Sequence, residues 1–505
     1  MPVASLSRFR ETWTSNFAER ASTLHDEFPD YYLSNPESLI CSSAPHSFRL
    51  GTGASVYTRA LIPAMLRAKH EVILVTCFWA PSPTLVVLKE ALEALAKERC
   101  ERARQAQASG SDADMLQPLR IRICFSSRSL FQKLFHTSSR DGYIYPPSTW
   151  PKQLGLPSQE VLEAGLIDLR IKTLFFLPFS VMHPKFLIVD RRRAWLPSCN
   201  VSWEAWLEGC VEFTGDAVDG LITFYRQVWD RDLESQLFNP VYSDLPPATS
   251  TSLDRFEVAL PDSPASVTTA LPGAATPTVI LPSSHHRNPR FNLLPWHESP
   301  SPPPTPLNHA TLQLLDMAKE TIYLQTPNLT SRVVIHSLLD ALERGVDVSI
   351  VTSKRLMLLE QIVTAGTTTS FCIRSLVGKY RACEARNKHL ASLGSRSYAE
   401  PPTDIEAQPP RLGSLQVSYF RPNPSHLSKN IAEEPVQSHL KLTIIDGQCT
   451  LLGSGNMDRA SWFTSQELGV MFQSAEFAAT ISAALRGVLA DRLELVFSSP
   501  TARSH

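Results

Sequence analysis

A pattern of polar residues occurs twice in this 505-residue chain, and its recurrence calls for two similar halves. The later copy runs from Ser438 to Glu467 and holds His439, Lys441, Asp446, Ser454 and Asn456. The earlier copy holds His183, Lys185, Asp190, Ser198 and Asn200, and each of these is offset from its counterpart by the same 256 residues. On a strand, a period of two sets each His beside its Lys on one face and turns the Asp to the other. One His-x-Lys pair is common. Two pairs that agree in spacing, in the Asp and in the Ser-x-Asn turn indicate shared chemistry.

The spacing His-x-Lys-x4-Asp-x6-Gly-Ser-x-Asn, present twice, resembles the signature of the phospholipase D superfamily, which includes phospholipases D, cardiolipin and phosphatidylserine synthases and some nucleases. The C-terminal copy matches throughout. The N-terminal copy has Pro197 where Gly is usual, and Ala460 stands where cardiolipin synthases of the bacterial type often carry Arg, just before Ser461.

The resemblance implies one active site built from both copies. One imidazole attacks phosphorus and forms a phosphohistidine, while the other protonates the leaving oxygen and then activates the water or alcohol that resolves the intermediate. His183 is expected as nucleophile and His439 as general acid. Lys185, Lys441, Asn200 and Asn456 would stabilise the charge that grows on the non-bridging oxygens, with Ser198 and Ser454 adding hydroxyl donors. These cations take the place of a Lewis acid, so neither metal nor cofactor is expected.

Each imidazole also needs a carboxylate to hold its tautomer. Glu212 lies 29 residues after His183 and Glu467 lies 28 after His439, each on an apparent strand returning beside its motif. They are the choice for this role, whether each serves its own His or crosses to the other half. Asp190 and Asp446 either tie down the turn after the strand or act in catalysis. Trp203, Trp206 and Trp462 follow the Asn turns and suit either core packing or a rim that meets lipid; Trp203 and Trp462 are taken as substrate contacts.

Charge is balanced, with 48 basic and 49 acidic residues, so no global positive field draws the chain to nucleic acid. A nuclease or DNA-end phosphodiesterase is therefore the second reading, and an inactive lipid-binding scaffold the third. The nine cysteines include no Cys-x-x-Cys pair, which favours a reducing compartment. The first residues lack the apolar core of a signal peptide, and no run is long and apolar enough to span a bilayer. The expectation is an intracellular protein, cytoplasmic or peripheral on a membrane, meeting a phospholipid substrate at the membrane surface as a monomer.

The fold class expected is α/β: two similar halves, each a mixed sheet flanked by helices, related by a pseudo-twofold axis. Residues 1–45 form an N-terminal arm, 46–240 the first half, 241–305 a linker and 306–500 the second half. The linker assignment rests on 13 of the 39 prolines falling there, since proline blocks ladder pairing. Position for position, the helix and strand around 68–76 match those around 318–326, and strands at 119–126 and 346–353 correspond. One helix is expected over 356–386 and closing helices over 475–495, while 128–166 and the stretch before Gly413 are candidate lids.

Overall fold

The computed structural model describes residues 9–15, 17, 28–109, 116–136, 141–176, 180–230, 256, 260–286, 301–394 and 412–499. The strands follow from short runs rich in Val, Ile, Leu and Phe. In β2 (Glu71–Phe78), Val72 and Leu74 enter one core while Ile73 and Val75 enter another, so both faces are covered, as an apolar run with no polar alternation requires.

In the first half β1 is Ile40–Thr52, β3 Leu119–Ser127, β4 Ile167–Thr173, β5 Phe186–Val189, β6 Arg193–Pro197 and β7 Trp206–Thr214. Then come β8 (Thr276–Ser283), β9 (Thr321–Thr326), β10 (Asp347–Thr352) and β11 (Leu415–Phe420). The set closes with β12 (Gln437–Ser438), β13 (Leu442–Ile445), β14 (Cys449–Gly453), β15 (Glu467–Gln473) and β16 (Leu493–Ser498).

Pairing links them in the order β4-β3-β2-β5-β6-β7-β1-β8-β15-β14-β13-β9-β10-β11-β16. Read outward from the β1–β8 junction, the two arms repeat one another: a run of antiparallel strands, then parallel strands joined by helices. The chain thus has two similar mixed α/β halves fused into one sheet.

The junction falls inside the stretch read as a linker. Val267–Ala270 and Thr276–Ser283 are strands, and β8 pairs with β1 on one side and β15 on the other. Pro277 and Pro282 misled the sequence reading, because Val279, Ile280 and Leu281 between them are fully packed and the ladder tolerates the two ring nitrogens near the strand ends. β8 is to the second half what β1 is to the first. Residues 231–255 and 287–300 of the expected linker lie outside the described residues, as does the stretch 395–411 before Gly413.

Two helices, α3 (Asp216–Val228) and the C-terminal α9 (Ala475–Leu489), cover one face of the sheet, and both enter a single apolar cluster with strands from both halves. On the other face each half has its own cluster. α1 (Pro83–Ser109) belongs to the first, and α4 (Pro306–Met317) and α5 (Arg332–Glu343) belong to the second. The arm packs on the second half: Phe9, Trp13 and Phe17 are buried there with Leu281 and Leu314.

Two expectations for the second half change. The helix read over 356–386 is two, α6 (Leu358–Ala365) and α7 (Thr369–Gly394), separated where Gly366 takes φ 63°, a conformation open to glycine at little cost. The closing helices end at Leu489, and Leu493–Ser498 forms an edge strand against β11. In the first half, 128–166 contains the short helix α2 (Leu130–Phe135) after β3.

Candidate active site

Each motif begins at the C-terminal end of a parallel strand. β5 runs antiparallel to β2, with Val75 opposite Phe186, so His183 lies just beyond the end of β2. Likewise Gln325 stands opposite Leu442, which sets His439 beyond β9. In open α/β sheets this end of the strands is where ligands are bound.

The backbone then crosses between halves. His183 N–H donates to the Gln466 carbonyl at 3.0 Å, and His439 N–H donates to the Leu207 carbonyl at 2.9 Å. The residue after each acceptor is a glutamate, so each imidazole meets a carboxylate of the opposite half. His183 Nδ1 lies 2.9 and 3.1 Å from the Glu467 oxygens, and His439 Nδ1 lies 2.8 Å from Glu208 Oε1. With Nδ1–H donating to a carboxylate, Nε2 is the nitrogen each ring offers to a substrate.

Glu467 therefore reaches an imidazole, and it crosses to do so. Glu212 does not reach one: it accepts from Ser47 Oγ at 2.8 Å and from Arg193 at 2.7 Å. Glu208 has the place expected of Glu212. Between Asn456 and Glu467 the chain makes a helical turn, α8 (Arg459–Phe463), and the shorter path from Asn200 to Glu208 lacks it. Counting forward from the His assumes equal spacing, and so overshoots by four residues, about 13 Å along a strand. The neighbouring Ser198 was the available signal, since its hydroxyl donates to Glu208 and its Oγ accepts Gly209 N–H at 2.9 Å.

The serines hold these carboxylates. Ser454 Oγ donates to Glu467 Oε2 at 2.5 Å, and Ser461 Oγ donates to Oε1 at 2.7 Å. The corresponding serine turns also share a backbone bond, Ser198 N–H to Gly209 O at 2.8 Å and Ser454 N–H to Leu468 O at 3.0 Å. Pro197 has thus left the N-terminal turn in register.

Lys185 and Lys441 are buried, and each donates one hydrogen bond to the carbonyl of its own His, at 2.8 and 2.7 Å. An ammonium has two further donors to give. Asn200 Oδ1 accepts from Phe78 N–H at 3.2 Å, while Asn456 Nδ2 donates to Asp458 at 3.0 Å and its Oδ1 is buried without a partner.

Burial dominates the electrostatics. It lowers His439 to about 4, with Glu208 opposing and Lys441 reinforcing, and Trp206 covers that ring at 4.9 Å. His183 is also lowered by burial, against the pull of Glu467, and Lys185 and Lys441 both act on it. Burial brings Lys441 down to about 7 although Glu208 favours its charge. Burial works against the Glu208 carboxylate too, but His439, Lys441 and Ser198 outweigh it and hold the group below its ordinary value. The two His-Lys pairs thus share one electrostatic environment.

Asp190 and Asp446 stand apart from it. Asp190 accepts backbone N–H groups of Lys69, His70 and Glu71 at 3.0, 2.7 and 2.9 Å, and Asp446 does the same for Lys319, Glu320 and Thr321 at 3.0, 2.8 and 2.9 Å. Both have positive φ in the turn after the strand, a conformation Asp tolerates. Of the two roles expected for them, the catalytic one gives way to that of turn anchors, because their oxygens are already engaged. Trp462, expected to touch substrate, is 3% exposed in the core of the second half; α8 turns it inward. Trp203 is 59% exposed and packs edge-on against Phe78.

Among the described residues no group of three or more His, Cys, Asp or Glu side chains could hold a metal ion, and no helix is long and apolar enough to cross a membrane.

Residues 311–488 match the family model described as the phospholipase D-like domain of cardiolipin synthase. The match lies in the second half, and the first half repeats the motif that this domain contains. Among solved structures, phosphatidylserine synthase of Haemophilus influenzae is similar over 90% of this chain and 89% of its own, at 13% identity and a TM-score of 0.45. Polyphosphate kinase of Porphyromonas gingivalis is similar over 88% of this chain and 47% of its own, at 12% identity and a TM-score of 0.42. The phospholipase D family member Nuc of Salmonella typhimurium is similar over 38% of this chain and 91% of its own, at 16% identity and a TM-score of 0.23. No curated protein sequence matches the chain.

Proposed function

We propose that the protein is a phosphodiesterase or phosphatidyltransferase acting on phospholipids through a phosphohistidine intermediate. The observation that carries this reading is the crossed pairing, His183 with Glu467 and His439 with Glu208, which makes each half incomplete without the other. The match of residues 311–488 to a phospholipase D-like domain supports phospholipid chemistry in general terms.

His183 Nε2 attacks phosphorus, the bond to the leaving oxygen breaks, and that oxygen takes the proton from His439 Nε2. Water or an alcohol then gives its proton to His439 as its oxygen displaces His183, which leaves the phosphorus with its electron pair restored. Lys185 and Lys441 face the non-bridging oxygens and match the charge that grows on them. The side chain of His183 is 12% exposed and that of His439 4%, and the more open ring suits the nucleophile. Because the chain supplies both motifs, it needs no second copy to complete the site.

The test incubates the protein with phosphatidylcholine or phosphatidylglycerol, with and without ethanol and EDTA, and separately with oligonucleotides. Phosphatidylethanol or free head group that forms despite EDTA is the expected product, with acid-labile phosphate trapped on His183 and both His183→Ala and His439→Ala inactive. Activity confined to oligonucleotides would replace this reading with a nuclease.

A further inference from the structure

A surface helix of a water-soluble protein ordinarily turns its apolar side inward. α2 and α6 do the reverse. α2 follows β3 and α6 follows β10, so the two are counterparts in the repeat, and both leave the strand ends at which the motifs lie.

A glutamine pins each helix from below. The Gln132 amide donates to Ser126 O at 3.1 Å and to Thr173 Oγ1 at 2.9 Å. The Gln361 amide donates to Asn328 Oδ1 at 2.8 Å and to Leu356 O at 2.6 Å, and its oxygen accepts from Thr369 N–H at 2.7 Å. Both glutamines are almost wholly buried, while Phe131, Leu134 and Phe135 on α2 and Leu359, Ile362 and Val363 on α6 project outward. Phe135 is 66% exposed and Leu359 77%. Large apolar side chains gathered this way are costly to leave in water.

The two helices flank the candidate site. Lys133 of α2 and Glu360 of α6 act on one another, and both act on Cys77 at the end of β2 together with Lys185 and Glu467. Exposed Trp203 belongs to the same end of the sheet. Lys354 and Arg355, both exposed, lead into α6, and Arg128 leads into α2. Apolar side chains fringed by cations complement a phospholipid surface, whose phosphates lie just above the acyl chains. A bilayer seated on this face would present its lipids at the strand ends where both motifs lie.

We propose that α2 and α6 form a bilayer-docking face, sinking their outward aromatic and aliphatic side chains to the depth of the acyl boundary on either side of the candidate active site. The proposal rests on the phospholipid reading above and adds the surface by which the protein reaches that substrate.

The experiment compares the full chain with a Phe131→Ser, Leu359→Ser, Ile362→Ser variant. Binding is read by flotation with vesicles of phosphatidylcholine and phosphatidylglycerol, and chemistry by hydrolysis of bis(p-nitrophenyl) phosphate, which is monomeric in water. The wild type should float, and the variant should bind at least about tenfold more weakly for each side chain removed, with thermal melting and hydrolysis of the soluble diester unchanged. Equal flotation of the two proteins, no flotation of the wild type, or a wild-type dimer that these substitutions dissolve would each overturn the docking face. Failure to hydrolyse the soluble diester while vesicle binding holds would count against the catalytic reading and leave the docking face standing.

Discussion

Glu208→Gln separates the crossed arrangement from the one that even spacing suggests. His439 Nδ1 and Glu208 Oε1 are 2.8 Å apart, and both side chains are 4% exposed. In the neutral ring this is a hydrogen bond to a charged group; when His439 carries the proton in the reaction it becomes an ion pair away from water. Glutamine keeps the shape and accepts the Nδ1–H but removes the charge that favours the imidazolium. A hydrogen bond to a charged partner is worth about 1.5–3 kcal/mol, so kcat should fall by about 10- to 150-fold. Binding should change little, because Glu208 is not placed to touch the phosphate. Glu212→Gln removes only contacts to Ser47 and Arg193 and should leave kcat within about twofold, as is usual for a surface pair. Both variants are assayed by head-group release under single-turnover conditions, with melting temperature as the control for folding. If Glu212→Gln lost as much as Glu208→Gln, or if Glu208→Gln retained full kcat, the crossed carboxylate would have no part in the chemistry.

Two further predictions follow from the same geometry. Asp446→Ala strips the acceptor from three backbone N–H groups and should lower stability by about 1–3 kcal/mol, seen as a drop in melting temperature, with kcat per folded molecule nearly unchanged; a collapse of kcat without loss of stability would return Asp446 to the catalytic set. Since burial holds His439 at about 4, this imidazole is neutral in the free enzyme near pH 6, while Lys441, at about 7, is already largely charged. A bound phosphodiester anion favours the imidazolium and should raise the His439 pKa toward the working pH. Binding should therefore take up as much as one proton, measured by calorimetry in buffers of different ionisation enthalpy. Uptake that stays at zero would mean that the general acid is charged before substrate arrives.

Much of this protein was legible along the chain because it is written in short-range patterns. A period of two places each His with its Lys on one strand, and an offset of 256 residues between matching polar groups reveals the duplication. The N-terminal halves of the repeat, helix and strand, show in residues close in sequence for the same reason: their hydrogen bonds are local. Asp190 and Asp446 could be placed at a turn because strand parity aims them away from the motif.

What the chain could not show by itself depends on contacts between its two ends. Whether Glu208 or Glu212 serves an imidazole turns on the register in which β7 meets β12, where Trp206 and Leu207 stand opposite Gln437 and Ser438 and so bring Glu208 to His439, a register between segments more than 200 residues apart. The burial of Trp462 depends on the turn of α8, and β8 counts as a strand only because β1 and β15 supply the hydrogen bonds on its two sides. The outward aim of Phe131 and Leu359 likewise requires knowing that a glutamine holds a buried place on each helix. Local propensity sets which residues form a strand or a turn, but which polar group meets which is decided when distant surfaces pack, since only then does burial make one pairing worth more than water.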